Sequence, residues 1–215
     1  ISRLADREMD TTNFKFMSAD KMRIGDIDNV MVFRISFTGE CGYEMYLPRN
    51  RQAKLFDILR NEGSDLGLGL VGTRSLMHTR LEKSFAAWGL ELSSDYTALD
   101  CNMMAHVKPE KGDFIGRNAV LSYNPQQEKF VTFTVDIGDC MIWGDEAIFF
   151  KEKPIGYVTS GGWGPVTEKH IALGYISIES YNENNDYFIE IMGKMRLAKL
   201  STRPLYDPMG HRMRK

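Results

Sequence analysis

No stretch of this 215-residue sequence approaches the ~20 consecutive apolar residues that a membrane-spanning helix requires. Cysteine is scarce: Cys41, Cys101 and Cys140 are the only three, far apart and odd in number. That argues against a disulfide framework, offers no CxxC-type zinc spacing, and fits a reducing compartment. A dominant charge is lacking as well. A formal net charge of -2 gives no basic field for nucleic acid, and the local cluster "HRMRK" at residues 211–215 reads as a solvated tail. There is no G-x-G-x-x-G opening a helix, no G-x-x-x-x-G-K-[ST] and no G-x-S-x-G, so dinucleotide, P-loop and nucleophile-elbow chemistry lack support. "GLGLVG" at residues 67–72 has glycines without the spacing. His78, His106, His170 and His211 do not fall at metal-ligand spacing. The start, "ISRLADREMD", has neither Met nor a signal-type segment, and it reads as a cut inside a longer protein.

What is present falls into two textures. In "VMVFRIS", Met31, Phe33 and Ile35 alternate with Val32, Arg34 and Ser36. In "YEMYL", Tyr43, Met45 and Leu47 alternate with Glu44 and Tyr46. Together they predict strand, tight turn, strand, with Glu44 on the face opposite Tyr43 and Met45. "NRQAKLFDILRNEG" predicts a helix with Asn50 as N-cap, Gly63 as C-cap and a stripe of Leu55, Ile58 and Leu59. "TRSLMHTRLEKSF" predicts a second helix, "TALDCNMMAHV" a short one capped by Thr97, and "DFIGRNAVLSY" another after Asp113. From about Pro125 the runs "KFVTFTVD", "EAIFF", "KPIGYVTSGG", "KHIALGYISI", "DYFIEIMG" and "MRLAKLS" are short and β-type, punctuated by Gly, Asn, Asp and Pro. The expected class is α+β: a mixed α/β domain over residues 1–122, then a small antiparallel β-barrel over 123–215, with the boundary near 122–128. The thirteen methionines read as core filling.

The hairpin is the least ordinary stretch. "FTGECGYEMY" places Glu40 and Glu44 beside Phe37, Tyr43 and Tyr46. On residue type alone the carboxylates read as solvated edge charges that discourage strand pairing. The aromatic context suits a second use. A carboxylate can accept the paired N–H and NH2 edge of a pterin as it accepts a guanidinium, and aromatic rings suit the pterin faces.

The motifs "FTGECGYE", "RLEKSFAAWGLEL", "TALDCNMMAHVKPEKGDFIGRNAV", "PIGYVTSGGWGP" and "KHIALGYISI" occur in this order. In that order the chain resembles the aminomethyltransferase family, the glycine cleavage T-protein and its relatives. "GTRSLMHTRLEKSFAAWG" and "PLYDPMGHRMR" make it most similar to the C-terminal folate-binding part of dimethylglycine and sarcosine dehydrogenases. The resemblance implies a tetrahydrofolate-binding, one-carbon transfer module whose partner is an upstream flavin dehydrogenase domain or subunit, with FAD confined to that partner. It implies pterin anchoring by Glu44, aromatic walls at Phe37 and Phe85, and Trp88 close by. The family's folate arginine corresponds to Leu76, leaving Arg74 as a candidate substitute, and "RLEK" reads as structural ion pairing as readily as chemistry. The family's catalytic aspartate lies upstream of residue 1, so no catalytic residue is assigned and these residues alone are expected to be inactive. A free-standing T-protein or folate-dependent demethylase, and a non-catalytic folate-binding regulatory module, stay open. The implied compartment is bacterial cytoplasm or mitochondrial matrix.

Overall fold

The computed structural model describes residues 1–123 and 128–215. They form two compact units, Ile1–Thr79 with Asp207–Lys215, and Arg80–Tyr206. The change of sequence texture at 122–128 falls mostly on residues 124–127, outside the described residues.

In the first unit, β1 (Ala19–Ile24), β2 (Ile27–Phe33) and β3 (Glu44–Tyr46) form an antiparallel sheet in that order. Val30 and Val32 bury completely and join Met22, Ile24, Ile27 and Leu55 in one core. Helix α1 (Gln52–Gly63) supplies Leu55, Ile58 and Leu59 to that core, the stripe its spacing predicts. Its ends differ from expectation. Asn50 lies inside a 3-10 turn, Arg49–Arg51, and Arg51 precedes α1 without a side-chain cap. Gly63 is the last helical residue and is not left-handed; that conformation falls at Gly67, after a further 3-10 turn.

The strands of the hairpin pair as predicted, Val32 opposite Met45 and Phe33 opposite Glu44. The connection is a long loop rather than a tight turn, because β2 ends at Phe33 and β3 begins at Glu44. Arg34, just after β2, is buried, and its main chain still bonds to Met17 and Ser18. Its Nη1 donates to the Phe14 carbonyl at 2.5 Å and its Nη2 donates to the Lys215 carbonyl. Gly42 allows the return, since a Cβ there would sit 2.5 Å from the Ile35 oxygen. Helix α2 (Thr73–Glu82) follows where the sequence predicts a second helix.

In the second unit the "TALDCNMMAHV" helix is replaced by turns and one 3-10 turn, Met104–His106. Thr97 caps a single turn. Its N–H and hydroxyl both donate to Asp100 Oδ2, at 2.8 and 2.7 Å, and Asn102 then turns left-handed at φ 58°. Helix α3 (Arg117–Ser122) is shorter than predicted and starts after Gly116 rather than at Asp113. Six strands close a barrel: β4 (Glu128–Val135), β5 (Ala147–Phe150), β6 (Lys153–Gly164), β7 (Lys169–Ser177), β8 (Tyr187–Ile191) and β9 (Lys194–Ser201). Their order is β4-β7-β6-β5-β8-β9, closed by β4 on β9. Tyr187, Ile189 and Ile191 point inward while Phe188 and Glu190 are exposed, the period-2 pattern of a half-buried strand. Val131, Phe133 and Val135 fill the same interior. On the barrel's outer side Phe130, Ile171, Leu173 and Tyr175 are covered by Leu81 and Cys101. That cover is why residues 80–123 belong with the barrel.

Candidate functional site

The outer face of the first unit's sheet carries a carboxylate among rings. Glu44 and Tyr46 are both exposed on β3, and Glu44 Oε2 accepts the Tyr46 hydroxyl at 2.7 Å. Phe33, directly opposite Glu44, meets the Tyr46 ring edge-on at 5.3 Å. The hydrogen bond and the charge of Glu44 push the Tyr46 phenol above its ordinary range. Among the described residues Glu44 makes no ion pair. Glu40, by contrast, accepts from Arg212 Nε with its two oxygens, at 2.8 and 2.9 Å. The two glutamates of the hairpin therefore differ: one is tied to an arginine, and the other presents its charge to solvent beside aromatic surface.

Tyr43 faces the other way. It stacks on Phe14 with ring centres 6.4 Å apart, donates to the Met9 carbonyl at 3.2 Å and lies under the Arg34 guanidinium. It is a core residue, and Phe33 rather than Tyr43 supplies the ring next to Glu44. The sequence signal for Phe33 was its cross-strand register. Phe37 is half-buried in the connecting loop. Arg74 is exposed on the first turn of α2, where its charge adds to burial in lowering the His78 pKa. Leu76 on the same helix is partly exposed.

Phe85 and Trp88 belong to the second unit. Phe85 is half-buried, while Trp88 is 78% exposed at the tip of a tight loop. Beneath that loop the "RLEK" motif is buried: Arg80, Glu82 and Lys83 are all nearly inaccessible. Arg80 pairs not with Glu82 but with Glu91, at 2.8 Å, the side chains being 1% and 0% exposed. Glu82 instead accepts the Val166 and Thr167 N–H groups at 3.0 and 2.7 Å, holding the turn after β6. Lys83 lies over the Phe85 and Tyr206 rings. The motif is legible in the sequence but its partner is not, because Glu91 lies beyond the end of α2, in the loop that follows. Among the described residues no cluster of His, Cys, Asp and Glu could hold a metal ion, and no helix is long and apolar enough to cross a membrane.

The same unit holds a tyrosine stack. Tyr96 and Tyr175 lie face to face at 3.9 Å; Tyr96 donates to Glu128 at 2.8 Å and contacts the Tyr157 hydroxyl at 2.6 Å. Burial, reinforced by these bonds for Tyr96 and by Cys101 for Tyr175, raises both phenols well above the ordinary value. A folded-state pKa raised above its unfolded value of 10.0 contributes stability that is fully present below that pH and lost as pH rises beyond it. Stability is therefore expected to hold up to about pH 10 and fall steadily above it. Tyr175→Phe should make the alkaline fall shallower, as read by urea denaturation at pH 9 to 11.5. A slope identical to that of the parent would remove Tyr175 from this role.

Comparison with known proteins places the geometry in context. Residues 1–111 match the GCVT N-terminal domain and residues 128–207 the glycine cleavage T-protein C-terminal barrel domain. The chain is 32% identical over 220 residues to mitochondrial dimethylglycine dehydrogenase of Mus musculus, covering 100% of this chain and 25% of that protein. It is 29% identical over 234 residues to the mitochondrial pyruvate dehydrogenase phosphatase regulatory subunit of Mus musculus, covering 100% of this chain and 27% of that one. Among solved structures, aminomethyltransferase T of the glycine cleavage system from Bartonella henselae superposes with a TM-score of 0.78 at 25% identity, over 92% of this chain and 54% of that one. The chain thus spans about a quarter of the curated relatives named here and about half of the solved structure.

Proposed function

The chain belongs to the aminomethyltransferase (glycine cleavage T-protein) family, and from that premise we propose that it is a tetrahydrofolate-dependent one-carbon transfer module. We assign it to the C-terminal part of a dimethylglycine or sarcosine dehydrogenase-like protein that forms 5,10-methylenetetrahydrofolate. An upstream flavin dehydrogenase domain or subunit would supply the one-carbon unit. The similarity of the whole chain to a quarter of dimethylglycine dehydrogenase supports this. Functionally, residues 1–122 would form the end of the folate-binding part and 123–215 the barrel domain, a division supported by the two family matches.

The observation that carries the reading is the Glu44 carboxylate, exposed, outside any ion pair among the described residues, and set against Phe33 and Tyr46. This carboxylate and ring set fits a pterin, whose N–H and NH2 edge needs a two-oxygen acceptor and whose faces need apolar walls. Glu44 would hold the pterin edge and Phe37 would supply an aromatic wall. Arg74 would offer a cation to the carboxylate end of folate. Phe85 and Trp88 are proposed as lining residues on the resemblance alone. When bound, tetrahydrofolate supplies the nucleophilic nitrogen that takes up the one-carbon unit. The residues of this chain contribute orientation and exclusion of water. The compartment proposed is bacterial cytoplasm or mitochondrial matrix; the two mouse relatives are mitochondrial proteins.

Anaerobic calorimetric titration with tetrahydrofolate tests this. Glu44→Ala is expected to weaken binding by about 1–3 kcal/mol, the usual cost of losing a charged hydrogen-bond partner. An affinity indifferent to the substitution would place the pterin elsewhere. The similarity to a phosphatase regulatory subunit favours a second reading, a folate-binding regulatory module. Folate binding without one-carbon turnover by the full-length protein would select it.

A further inference from the structure

Trp88 is presented by a loop whose every turn is held from below. Ser84, at the loop's start, has left-handed backbone, and its hydroxyl accepts the Thr132 hydroxyl of β4 at 2.8 Å. The Phe85 N–H donates to the Arg80 carbonyl and the Phe85 carbonyl accepts Arg80 Nη1, both at 3.0 Å. One arginine thus grips both main-chain groups of Phe85. Two residues on, the Ala87 N–H donates to Glu91 Oε2 at 2.8 Å, the oxygen that also receives Arg80 Nη1. Across the tip, Leu92 N–H donates to the Ala87 carbonyl at 3.0 Å and Gly89 N–H to the Leu92 carbonyl at 2.8 Å.

The barrel supplies the floor. Arg80 Nη2 donates to Ser160 Oγ at 2.8 Å; Ser160 in turn donates to Glu91 Oε1, which Thr159 also reaches at 2.8 Å. Tyr175 donates to the Glu91 carbonyl at 2.8 Å. Burying an ion pair is seldom the most stable way to fill an interior; packed apolar side chains of similar volume do as well or better. What the pair does that an apolar filling cannot is satisfy the Phe85 carbonyl and the Ala87 N–H, the two main-chain groups that flank the exposed tip.

We propose that Arg80 and Glu91, seated on Thr159 and Ser160 of β6, are positioning residues that lock the 84–92 loop and so fix how Phe85 and Trp88 are offered to the rings of bound folate. The inference rests on the folate reading for its ligand, but the locking itself is independent of it. Conformational freedom at Trp88 would have to be given up on binding, and a pre-ordered loop avoids that loss.

The test uses the 215-residue chain carrying Trp143→Phe and Trp163→Phe, which leaves Trp88 as its single tryptophan. Steady-state anisotropy and acrylamide quenching of Trp88 are then measured in Glu91→Gln, Ser160→Ala and Arg80→Met/Glu91→Met. Each is compared with a core variant of matched stability, Val131→Ala, under conditions where circular dichroism shows the protein folded. Positioning predicts a lower anisotropy and faster quenching in the network variants and no change in the core variant. The apolar double variant should regain stability without regaining Trp88 order, a split that a purely structural role would not produce. Tetrahydrofolate affinity should drop in step. An unchanged Trp88 signal in folded Ser160→Ala and in the double variant would overturn the proposal. Loss of Trp88 order in a chain whose parent binds no folate would uphold the lock and defeat the folate reading instead.

Discussion

Glu91→Ala is expected to cost about 3–5 kcal/mol of folding stability, the range for removing one partner of a buried ion pair. The size follows from what is left behind. The Arg80 guanidinium is 1% exposed and keeps its full desolvation cost, while its remaining acceptors are the Phe85 carbonyl and the Ser160 hydroxyl. Thr159 and the Ala87 N–H lose a bond at the same time. Burial already works against the charged form of Arg80, and Glu91 is what opposes it. Domains of ordinary size hold only about 5–15 kcal/mol in total, so this one substitution consumes a large share. Urea denaturation should show a midpoint far below that of the parent with a similar slope. Arg80→Met/Glu91→Met should recover most of the loss, because no buried charge remains. A loss under about 1 kcal/mol for Glu91→Ala, the value typical of exposed pairs, would mean that water reaches Arg80.

Gly156→Ala should be the most damaging single methyl in the barrel. Gly156 on β6 lies opposite Ile176 on β7, and a Cβ there would collide with the Tyr175 carbonyl oxygen and come within 2.8 Å of the Ile176 Cα. Both obstacles are backbone, so no rotamer change relieves them and the two strands must separate. Gly174 repeats the arrangement two residues along, its added Cβ meeting the Tyr157 oxygen. Overpacking usually costs ~1–3 kcal/mol, and a main-chain collision inside a closed ladder belongs at or above the top of that range. Thermal unfolding checks it against Gly69→Ala, where an added Cβ meets nothing within 4 Å and the change should stay within about 0.5 kcal/mol. Equal melting temperatures for the two variants would show that β6 and β7 part more easily than their register suggests.

The barrel was legible because each strand carries its own signal. Tyr187, Ile189 and Ile191 alternate with exposed neighbours, and β-type runs are separated by turn residues. The order β4-β7-β6-β5-β8-β9 was not legible, since β4 on β9 and β5 on β8 are long-range pairings that no local pattern encodes. Local chemistry misled at Thr97, where an apparent helix start closes one turn on Asp100 and stops at left-handed Asn102. At the hairpin, alternation did not reveal that Arg34 is buried, because its carbonyl partners, Phe14 and Lys215, are distant in sequence. In the candidate site, the outward face of Glu44 followed from simple alternation, and Phe33 was recoverable from register. The Arg80–Glu91 pair was not, because Glu91 reaches Arg80 from a loop and the hydroxyls beneath it come from a strand far along the chain.

Residues 207–215 belong with residues 1–79 rather than with the barrel that they follow. Met213 is buried, Arg212 holds Glu40, and the Lys215 carbonyl accepts Arg34. The second unit is thus spliced into the first, and the order of synthesis differs from the order of completion. On the ribosome, residues 80–206 emerge whole while the first unit still waits for its closing segment. Until then Arg34 lacks its Lys215 acceptor, so the first unit is completed only after the whole of a unit that is not its own has been made.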